Sequence, residues 1–317
     1  MTMKKPSIFT KSTHFLPGNP KPGLDRRNFL KMTGLSLMGS MLPGLSGCGE
    51  RTKAYTPPRL SMQLYTIRDE MEVDTPGSLS RLADIGFTHV ESAFWPDGSS
   101  HEQGAEMLRR AGLKVSSSHV DMPESGNMRS LLDLARLYDT DMMIWHGWPE
   151  DPRYGSLQGT RELIAEYNEI SAYLRNHGLR FGLHNHWWEF MQRPDNRIAY
   201  QVLHEEMDPD IFFQIDTYWV AVAGLDPAAV IRELGSRVKS LHIKDGPAQY
   251  TENIGEVPHP PMTAIGQGTL DFASIAKAAK DHVEWNVIEA DEVDGDVFRL
   301  LEDSFNYMIT NKYAVTG

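Results

Sequence analysis

Four short apolar segments of this chain each end in a side chain that can bind a metal ion. The endings are Leu183-His184, Ile215-Asp216, Leu241-His242 and Ile288-Glu289. Each one closes a segment rich in β-forming residues and comes directly before a predicted loop. Imidazole and carboxylate groups without cysteines favour a catalytic site with open positions for Mn²⁺, Co²⁺ or Zn²⁺. We therefore predict one metal site at the ends of consecutive strands. Its expected ligands are His184, Asp216, His242 and Glu289.

These endings belong to a regular alternation of predicted strands and helices that begins at Leu60. The predicted strands are 60–65, 87–92, 114–120, 141–146, 180–186, 211–216, 238–243 and 285–290. Apolar stripes with helical spacing lie between them. Eight strands that alternate with helices over roughly 255 residues predict an α/β fold, a single (β/α)₈ TIM barrel. The alternative, a doubly wound open sheet, normally has a glycine-rich first turn, and none follows Tyr65.

In such a barrel, the loops at the carboxyl ends of the strands build the active site. Further polar side chains are expected at this rim, and six of the seven tryptophans stand beside predicted strand ends. A tryptophan ring has a large apolar face and a polar edge, which suits stacking on a sugar, although it equally suits core packing. The predicted substrate contacts are Glu91, Trp95, His119, His146, Trp148, Trp188 and Trp219.

A loop with two glycines, residues 264–272, connects the seventh and eighth predicted strands. Backbone N–H groups next to Gly266 and Gly268 could approach a ligand, and barrels often bind phosphate at this position. The same segment is also compatible with a plain tight turn, in which Asp271 caps a helix that begins at Phe272.

The first 47 residues have the three parts of a bacterial export signal, so they are excluded from the fold. Arg26 and Arg27 precede Phe-Leu-Lys, an apolar stretch follows, and Leu45-Ser-Gly-Cys48 resembles a lipoprotein cleavage box. The apolar stretch is shorter than the about 20 residues of a spanning helix. We predict a twin-arginine lipoprotein signal peptide over 1–47 and a lipid on Cys48. Residues 48–58 are then a tether, 59–312 the TIM-barrel catalytic domain and 313–317 a C-terminal tail.

This N-terminus predicts export by the twin-arginine route to the periplasm or cell envelope, with the membrane reached only through the lipid. The whole chain has a net charge of −12, and residues 1–47 carry +6, so the remaining part carries −18. Such an acidic body repels a phosphate backbone, which argues against nucleic acid as a partner. The expected partner is a small carbohydrate, and a homo-oligomer remains open.

From about Leu60 to Tyr307, the chain resembles the xylose isomerase-like TIM barrels of the sugar phosphate isomerase/epimerase superfamily. The motifs that carry the resemblance are His242-Ile-Lys-Asp245, Gly266-Gln-Gly268 with Asp271-Phe272, Ile288-Glu-Ala-Asp291 and His184-Asn-His-Trp-Trp-Glu-Phe190. The resemblance implies one divalent metal, for which we expect Mn²⁺ before Co²⁺, Zn²⁺ or Mg²⁺. Its ligands come from strands five to eight, and Asp216, His242 and Glu289 match the family pattern directly.

The fifth strand departs from this pattern, because it ends in His184 where many epimerases have a metal-binding glutamate that also moves protons. His186 is the rival ligand at this position. Epimerisation next to a carbonyl needs two opposed acid/base groups. Glu289 is expected to be one of them, and the candidates for the second catalytic group are His186, Glu189 and Lys244.

The predicted function is a metal-dependent isomerase or epimerase that removes a proton next to the carbonyl of a sugar or keto-sugar. Export favours an unphosphorylated substrate. A keto-sugar lyase or dehydratase at the same site is the alternative, because it needs only one base and an acid for the leaving group. An endonuclease IV-like nuclease would need more histidine ligands than this chain has. The residue three positions after Asp216 is Trp219 and not a histidine. A sugar-binding lipoprotein without catalysis is the remaining alternative.

Overall fold

The computed structural model of the chain describes residues 56–123, 128–192, 197–251, 254–255 and 259–317. The predicted signal peptide, Cys48 and most of the predicted tether lie outside the described residues. In the part that is described, no helix is both long enough and apolar enough to cross a membrane.

Eight parallel strands form a nearly closed barrel, which confirms the fold predicted from the alternating segments. The strands are β1 (Arg59–Met62), β2 (His89–Ser92), β3 (Lys114–Val120), β4 (Met142–Trp145), β5 (Arg180–His184), β6 (Phe212–Asp216), β7 (Val238–Ile243) and β8 (Trp285–Ile288). Hydrogen-bonded neighbours follow the order β1, β8, β7, β6, β5, β4, β3, β2. β1 and β2 meet through one bridge between Gln63 and Glu91, so the seam closes at the carboxyl ends of the strands.

The helices pack outside the barrel between successive strands. They are α1 (Arg68–Ile85), α2 (His101–Ala111), α3 (Met128–Tyr138), α4 (Leu157–Arg175), α5 (Ala199–Glu206), α6 (Thr217–Val222), α7 (Pro227–Leu234), α8 (Phe272–Ala279) and α9 (Val297–Thr310). Gly86 and Gly112 end α1 and α2 in the left-handed conformation that glycine adopts without strain. Asp271 caps α8 by accepting a hydrogen bond from Ser274 N at 3.1 Å, which was also predicted.

The fifth strand is two residues shorter than the sequence pattern indicated. β5 ends at His184, and residues 188–190 form a 3₁₀ turn. Asn185 contributes to this ending, because its Oδ1 accepts a hydrogen bond from Asp216 N at 2.9 Å. Its Nδ2 donates to His186 O at 3.1 Å. The side chain thus takes over backbone partners that a longer strand would use, and His186 lies in a loop instead of on the strand.

An apolar layer from even-numbered strands fills the amino-terminal half of the barrel interior. Met142, Ile144, Phe212, Trp285 and Val287 form this buried cluster. Gly182 of β5 lies against it, because a Cβ at this position would come 2.3 Å from Phe212 Cε2. The layer closes the barrel from below, so polar side chains at the carboxyl ends of the strands stand on a packed floor.

The final residues of the chain pair with the beginning of the barrel. Leu60 N donates to Val315 O at 2.8 Å, and Val315 N donates to Pro58 O at 3.0 Å. The segment 313–317, predicted as a tail, therefore lies beside β1 at the amino-terminal end of the barrel.

Trp95 packs in the outer helical layer, away from the rim where the sequence placed it. Its Nε1 donates to Tyr138 OH at 2.7 Å, and the same hydroxyl lies 2.9 Å from His101 Nδ1. Its ring lies against Gly104 of α2. The loop after β2 thus turns toward α2 and α3, so the predicted substrate contact of Trp95 is wrong. The ring fills the core between two helices instead.

This packing makes Gly104→Ala a revealing substitution. Alanine in place of glycine within a helix usually stabilises a protein by about 1 kcal/mol. Here the added Cβ would lie 2.0 Å from Trp95 Cε2, so we expect the free energy of unfolding to fall by about 1–3 kcal/mol. Urea unfolding measures the change. The control is Gly155→Ala, whose Cβ would meet nothing within 4 Å, and which should change stability by less than about 1 kcal/mol. A stabilised Gly104→Ala would contradict the packing of Trp95.

Candidate metal centre

The four predicted ligands meet at the carboxyl ends of β5 to β8. One ligand atom from each of His184, Asp216, His242 and Glu289 lies within 4.8 Å of the other three, and all four residues are buried. The strand register explains the meeting, because Asp216 pairs with His242 across β6 and β7. His186, the rival of His184 in the sequence, is not part of this cluster.

Gln214 on β6 sets the proton positions of two histidines. Its Nε2 donates to Glu91 Oε2 at 2.6 Å, so its Oε1 must act as the acceptor. This oxygen accepts the Nε2–H of His119 at 2.6 Å and the Nδ1–H of His184 at 3.1 Å. His184 Nε2 therefore keeps its lone pair, and it lies 3.9 Å from Asp216 Oδ2. This is the tautomer that a metal-binding imidazole requires.

Glu91 lies completely buried below the cluster, where it supports His242. Its oxygens accept hydrogen bonds from Gln63 Nε2, Ser117 Oγ and Gln214 Nε2 at 2.7, 2.5 and 2.6 Å. Burial would raise the pKa of Glu91, but His119 and His242 bring that pKa down to about 2. Both oxygens are occupied from within the protein, so Glu91 orients His242 and has no oxygen left for the substrate contact that the sequence predicts.

His242 lies between two carboxylates. Its Nε2 is 2.5 Å from Glu91 Oε1, and its Nδ1 is 2.6 Å from Glu289 Oε2. Burial would lower the pKa of His242, but Glu289 and Glu91 raise it to about 10. A metal ion bound to Nδ1 would replace the proton on that nitrogen, while the Nε2–H would still donate its hydrogen bond to Glu91. This is the carboxylate–histidine–metal arrangement that fixes a ligand's orientation.

Lys244 places an ammonium group among the acidic ligands. Its Nζ is 2.8 Å from Glu289 Oε2 and 3.0 Å from Asp216 Oδ2. It also donates to both oxygens of Asp291, at 2.9 and 2.8 Å. Burial would lower the pKa of Lys244, but Asp216, Asp291 and Glu289 hold it well above its ordinary value. Asp291, which sequence reasoning did not assign to the site, is therefore the outer partner of this lysine.

Asp216 Oδ2, which has an ion-pair contact with Lys244 but accepts no hydrogen bond, and the charge of the cluster both fit a divalent cation. Asp216 Oδ1 caps α6 by accepting from Tyr218 N and Trp219 N, each at 3.0 Å. Its Oδ2 is buried and accepts no hydrogen bond. The buried carboxylates of Glu91, Asp216 and Glu289 and the half-buried Asp291 carry up to four negative charges here, and Lys244 with His242 carries two positive ones. Two excess negative charges away from water are costly unless a cation offsets them. His184, Asp216, His242 and Glu289 would hold that ion.

His186 and Glu189 occupy the β5 side of the centre but face different surroundings. His186 stacks on Trp188 with ring centroids 4.3 Å apart, and its buried Nδ1 has no hydrogen-bond partner. Burial holds the pKa of His186 well below its ordinary value, so the ring is neutral. Glu189 Oε2 accepts from His186 N at 3.0 Å. The Glu189 side chain lines a small internal space with Tyr154 and Phe190, so it shapes the loop from behind the centre.

The remaining predicted contacts divide between the interior and the rim. His119 is stacked on His242 with ring centroids 5.1 Å apart, and it could join His184 and His242 in a three-histidine group. His146 lies farther out, where its Nε2 is 2.9 Å from Asp121 Oδ1. Trp148 is exposed at the rim, whereas Trp188 and Trp219 are buried against the centre. The ring of Trp219 lies 5.6 Å from Lys244 Nζ.

The glycine-rich loop is organised by a carboxylate of the protein itself. Asp245 Oδ2 accepts from Gly266 N and Gly268 N, both at 2.9 Å. Its Oδ1 accepts from Gly246 N at 2.9 Å and from Leu270 N at 3.3 Å. Gly268 is required here, because a Cβ would lie 2.1 Å from Asp245 Oδ1. The N–H groups that the sequence offered to a ligand are therefore already used.

Burial of Glu189 predicts that the stability of the protein changes with pH. Burial raises the pKa of Glu189 from 4.5 to about 8. The folded protein therefore holds this proton more tightly than the unfolded chain, and the free energy of unfolding falls as the pH rises from about 4.5 to about 8. Glu189→Gln lacks this titrating group. The variant's free energy of unfolding minus that of the parent should therefore rise across that pH interval. Urea unfolding at pH 5, 7 and 9 measures it. A difference that does not change with pH would contradict the buried, uncompensated position of this carboxyl.

Comparisons with known proteins agree with this architecture. The family model described as xylose isomerase-like TIM barrel matches residues 79–295. A sugar phosphate isomerase/epimerase from Parabacteroides distasonis is similar in structure, with a TM-score of 0.65, 23% identity, and coverage of 83% of this chain and 96% of that chain. The probable 3-DHS dehydratase AsbF from Bacillus anthracis has a TM-score of 0.61, 14% identity, and coverage of 80% and 99%.

A D-allulose 3-epimerase from Methylomonas sp. is also similar, with a TM-score of 0.60, 15% identity, and coverage of 82% of this chain and 99% of that chain. No curated protein matches the sequence. At these identities the solved structures show the fold, while the family model covers more than half of the chain. The chain therefore belongs to the xylose isomerase-like TIM barrel family.

Proposed function

We propose that the chain is a metal-dependent isomerase or epimerase that removes a proton next to the carbonyl of an unphosphorylated sugar or keto-sugar. The observation that carries this proposal is the buried set of His184, Asp216, His242 and Glu289 with Lys244 beside it. A divalent ion, Mn²⁺ in the first place, would polarise the substrate carbonyl and so make the adjacent C–H more acidic.

Glu289 is the base in this proposal. Both polar contacts of its carboxylate end on Oε2, which leaves Oε1 for a substrate proton. Burial would raise the pKa of Glu289, but Lys244 and His242 hold it well below its ordinary value, so the group is ionised at neutral pH. Lys244 supplies a proton donor next to it, and Asp291 keeps the ammonium directed into the centre.

His186 is the second acid/base group of an epimerase at this site. It lies on the β5 side, across the centre from Glu289, with its ring 5.1 Å from that of His184. Its neutral imidazole has an unused Nδ1, and Trp188 fixes the plane of the ring. A neutral imidazole can both accept and return a proton, which is what the second face of an epimerised carbon requires.

A keto-sugar lyase or dehydratase is the second candidate, and one observation favours it. Glu91 is fully occupied, Glu189 lies behind the loop, and Asp216 Oδ2 faces Lys244 and the proposed ion, so Glu289 Oε1 is the oxygen of the centre that we assign to a substrate. A reaction with one carboxylate base and a nearby proton donor needs no second base on the opposite face. The product formed after the first proton transfer separates the two candidates.

The loop after β7 supports an unphosphorylated substrate. Asp245 fills the ring of backbone N–H groups at Gly266 and Gly268, and these are the groups that a phosphate would use in a barrel of this kind. A phosphate placed there would meet a buried carboxylate. The exposed Trp148 and the Trp188 ring that it contacts suit the apolar face of a sugar ring.

We also propose that the protein is exported and anchored by a lipid on Cys48, because of the twin-arginine pair and the cleavage box around that cysteine. Its partner in this setting is a small carbohydrate, and the proposal assigns no nucleic acid to it. Mass spectrometry of the processed protein tests the anchor: a lipidated N-terminal Cys48 supports it, and an unprocessed N-terminus contradicts it.

Hydrogen exchange into the substrate tests the shared first step. The manganese-loaded protein is incubated in D₂O with a panel of keto-sugars, and deuterium at the carbon next to the carbonyl is followed by NMR. Glu289→Gln should slow the exchange by about 10²-fold or more, because a general base contributes this order of rate. The control Glu302→Gln removes an equal charge from an exposed position on α9 and should exchange at the parent rate.

Each outcome of this assay has a defined meaning. Retained exchange in Glu289→Gln would overturn its role as the base. Saturable sugar binding without exchange in the parent would support the non-catalytic binding protein instead. His186→Gln separates the candidates, because it should abolish epimerised product while a lyase keeps its first step.

Phosphorylation of the substrate provides an independent check on the Asp245 loop. For any keto-sugar that exchanges, we expect its phosphate ester to exchange at least about tenfold more slowly, because the phosphate would approach a buried carboxylate. The two exchange rates are compared at equal concentration. Faster exchange with the phosphate ester would contradict an unphosphorylated substrate.

A further inference from the structure

A second cavity lies at the amino-terminal end of the barrel, opposite the metal centre. Its volume is about 720 Å³, which is in the range of sites that bind small molecules or head groups. Four of the eight strands begin with a basic residue that lines it: Arg59, His89, Lys114 and Arg180. Leu108 of α2 and Leu132 of α3 contribute to an apolar wall. The proposed reaction uses none of these side chains.

Two of the cations have no acidic partner among the described residues. The Arg59 guanidinium lies over the Trp285 ring, 3.8 Å from its centroid, and Lys114 is exposed at the start of β3. Arg180 differs, because it pairs with two carboxylates at 2.8 and 2.9 Å. His89 starts the strand between β1 and β3; its burial, with the nearby charges of Arg59 and Lys114, lowers its pKa to about 4. Asp139 and Asp141 also line this cavity, and Asp141 is one of the two partners of Arg180. Arg59 and Lys114 are therefore the two strand-start cations at its mouth that no carboxylate pairs with in the described part of the chain.

Most lysines of the barrel also lie at its amino-terminal end. The described part contains six lysines, and five of them stand at the start of a strand or at the end of a helix: Lys114, Lys239, Lys277, Lys280 and Lys312. Both positions lie at the amino-terminal end of a (β/α)₈ barrel, because the helices run antiparallel to the strands. Lys244 alone belongs to the opposite end. A chain with a charge of −18 after residue 47 thus presents its lysines on one side.

The chain enters the barrel at this same end. Thr56 is exposed and is followed by β1, and Cys48 precedes it by eight residues. Eight residues span at most about 28 Å. A lipid on Cys48 would therefore keep this end of the barrel within that distance of a membrane surface.

We propose that the amino-terminal end of the barrel docks on an anionic phospholipid surface, with a head-group phosphate between Arg59 and Lys114. The orientation rests on the proposed lipid anchor, whereas the recognition of the head group does not. Basic residues close to an anionic membrane are attracted to it, and the acidic remainder of the chain is repelled. Both forces turn the cavity toward the membrane and the metal centre toward the solution that supplies the substrate.

Vesicle binding tests the proposal on the predicted processed chain, residues 48–317, with Cys48→Ser, so that neither a lipid nor the +6 charge of residues 1–47 contributes. Vesicles with roughly one third phosphatidylglycerol are compared with pure phosphatidylcholine at low salt. Arg59→Gln/Lys114→Gln should weaken binding to the anionic vesicles by about tenfold or more. The matched control, Arg129→Gln/Arg299→Gln, removes the same charge at the amino-terminal ends of α3 and α9, and it should weaken binding by less than about twofold.

Acetylation of lysines, read by peptide mass spectrometry, locates the contact. Anionic vesicles should protect Lys114, and neutral vesicles should not. Equal losses in the two double variants, or an unprotected Lys114, would overturn the proposal. Protection of Lys114 by glycerol phosphate as strong as by vesicles would also overturn it, in favour of a soluble ligand. An unlipidated Cys48 in cells would contradict the anchor but would leave these vesicle results unchanged.

Discussion

The site depends on one charge, the Glu91 carboxylate inside the barrel. A buried carboxylate is tolerated only when hydrogen bonds and opposite charge replace the water that it has lost. Gln63, Ser117, Gln214 and His242 provide that replacement. Each of these partners is thereby fixed in place, and Gln214 passes the constraint to His119 and His184. The orientation of two proposed metal ligands thus follows from the solvation of a residue that does not touch the ion.

The acidic cluster around Lys244 is a consequence of the same packing. Glu91 holds the Nε2 side of His242, so the Nδ1 side faces Glu289 and the rest of the acidic ligands. Lys244 and Asp291 balance part of the charge and leave an excess that suits a divalent ion. The same surroundings give Glu289 one oxygen for chemistry and Lys244 a fixed direction. The proposed metal ligands, base and proton donor therefore belong to one network.

The strands and the meeting of the four proposed ligands could be predicted because hydrophobic periodicity and residue type both indicate them. An apolar strand that ends in histidine or a carboxylate is visible in the sequence, and four such endings in order indicate their meeting point. Gln214 and Asp291 were missed as site residues, since a glutamine within a strand looks like any half-buried polar residue. Trp95 was misplaced because proximity to a strand end does not reveal which way a loop turns. Asp245 occupies N–H groups that the glycine spacing offered to a ligand, and only side-chain geometry shows this.

The location of a bound ion tests the central claim most directly. Crystals of the manganese-loaded protein, measured near the manganese absorption edge, give the ion's position by anomalous scattering without reference to activity. The account predicts one ion bound by His184 Nε2, Asp216 Oδ2, His242 Nδ1 and Glu289, with Lys244 drawn toward Asp291. An ion held by His119, His184 and His242 instead, or no anomalous peak with Lys244 still between Asp216 and Glu289, would contradict it.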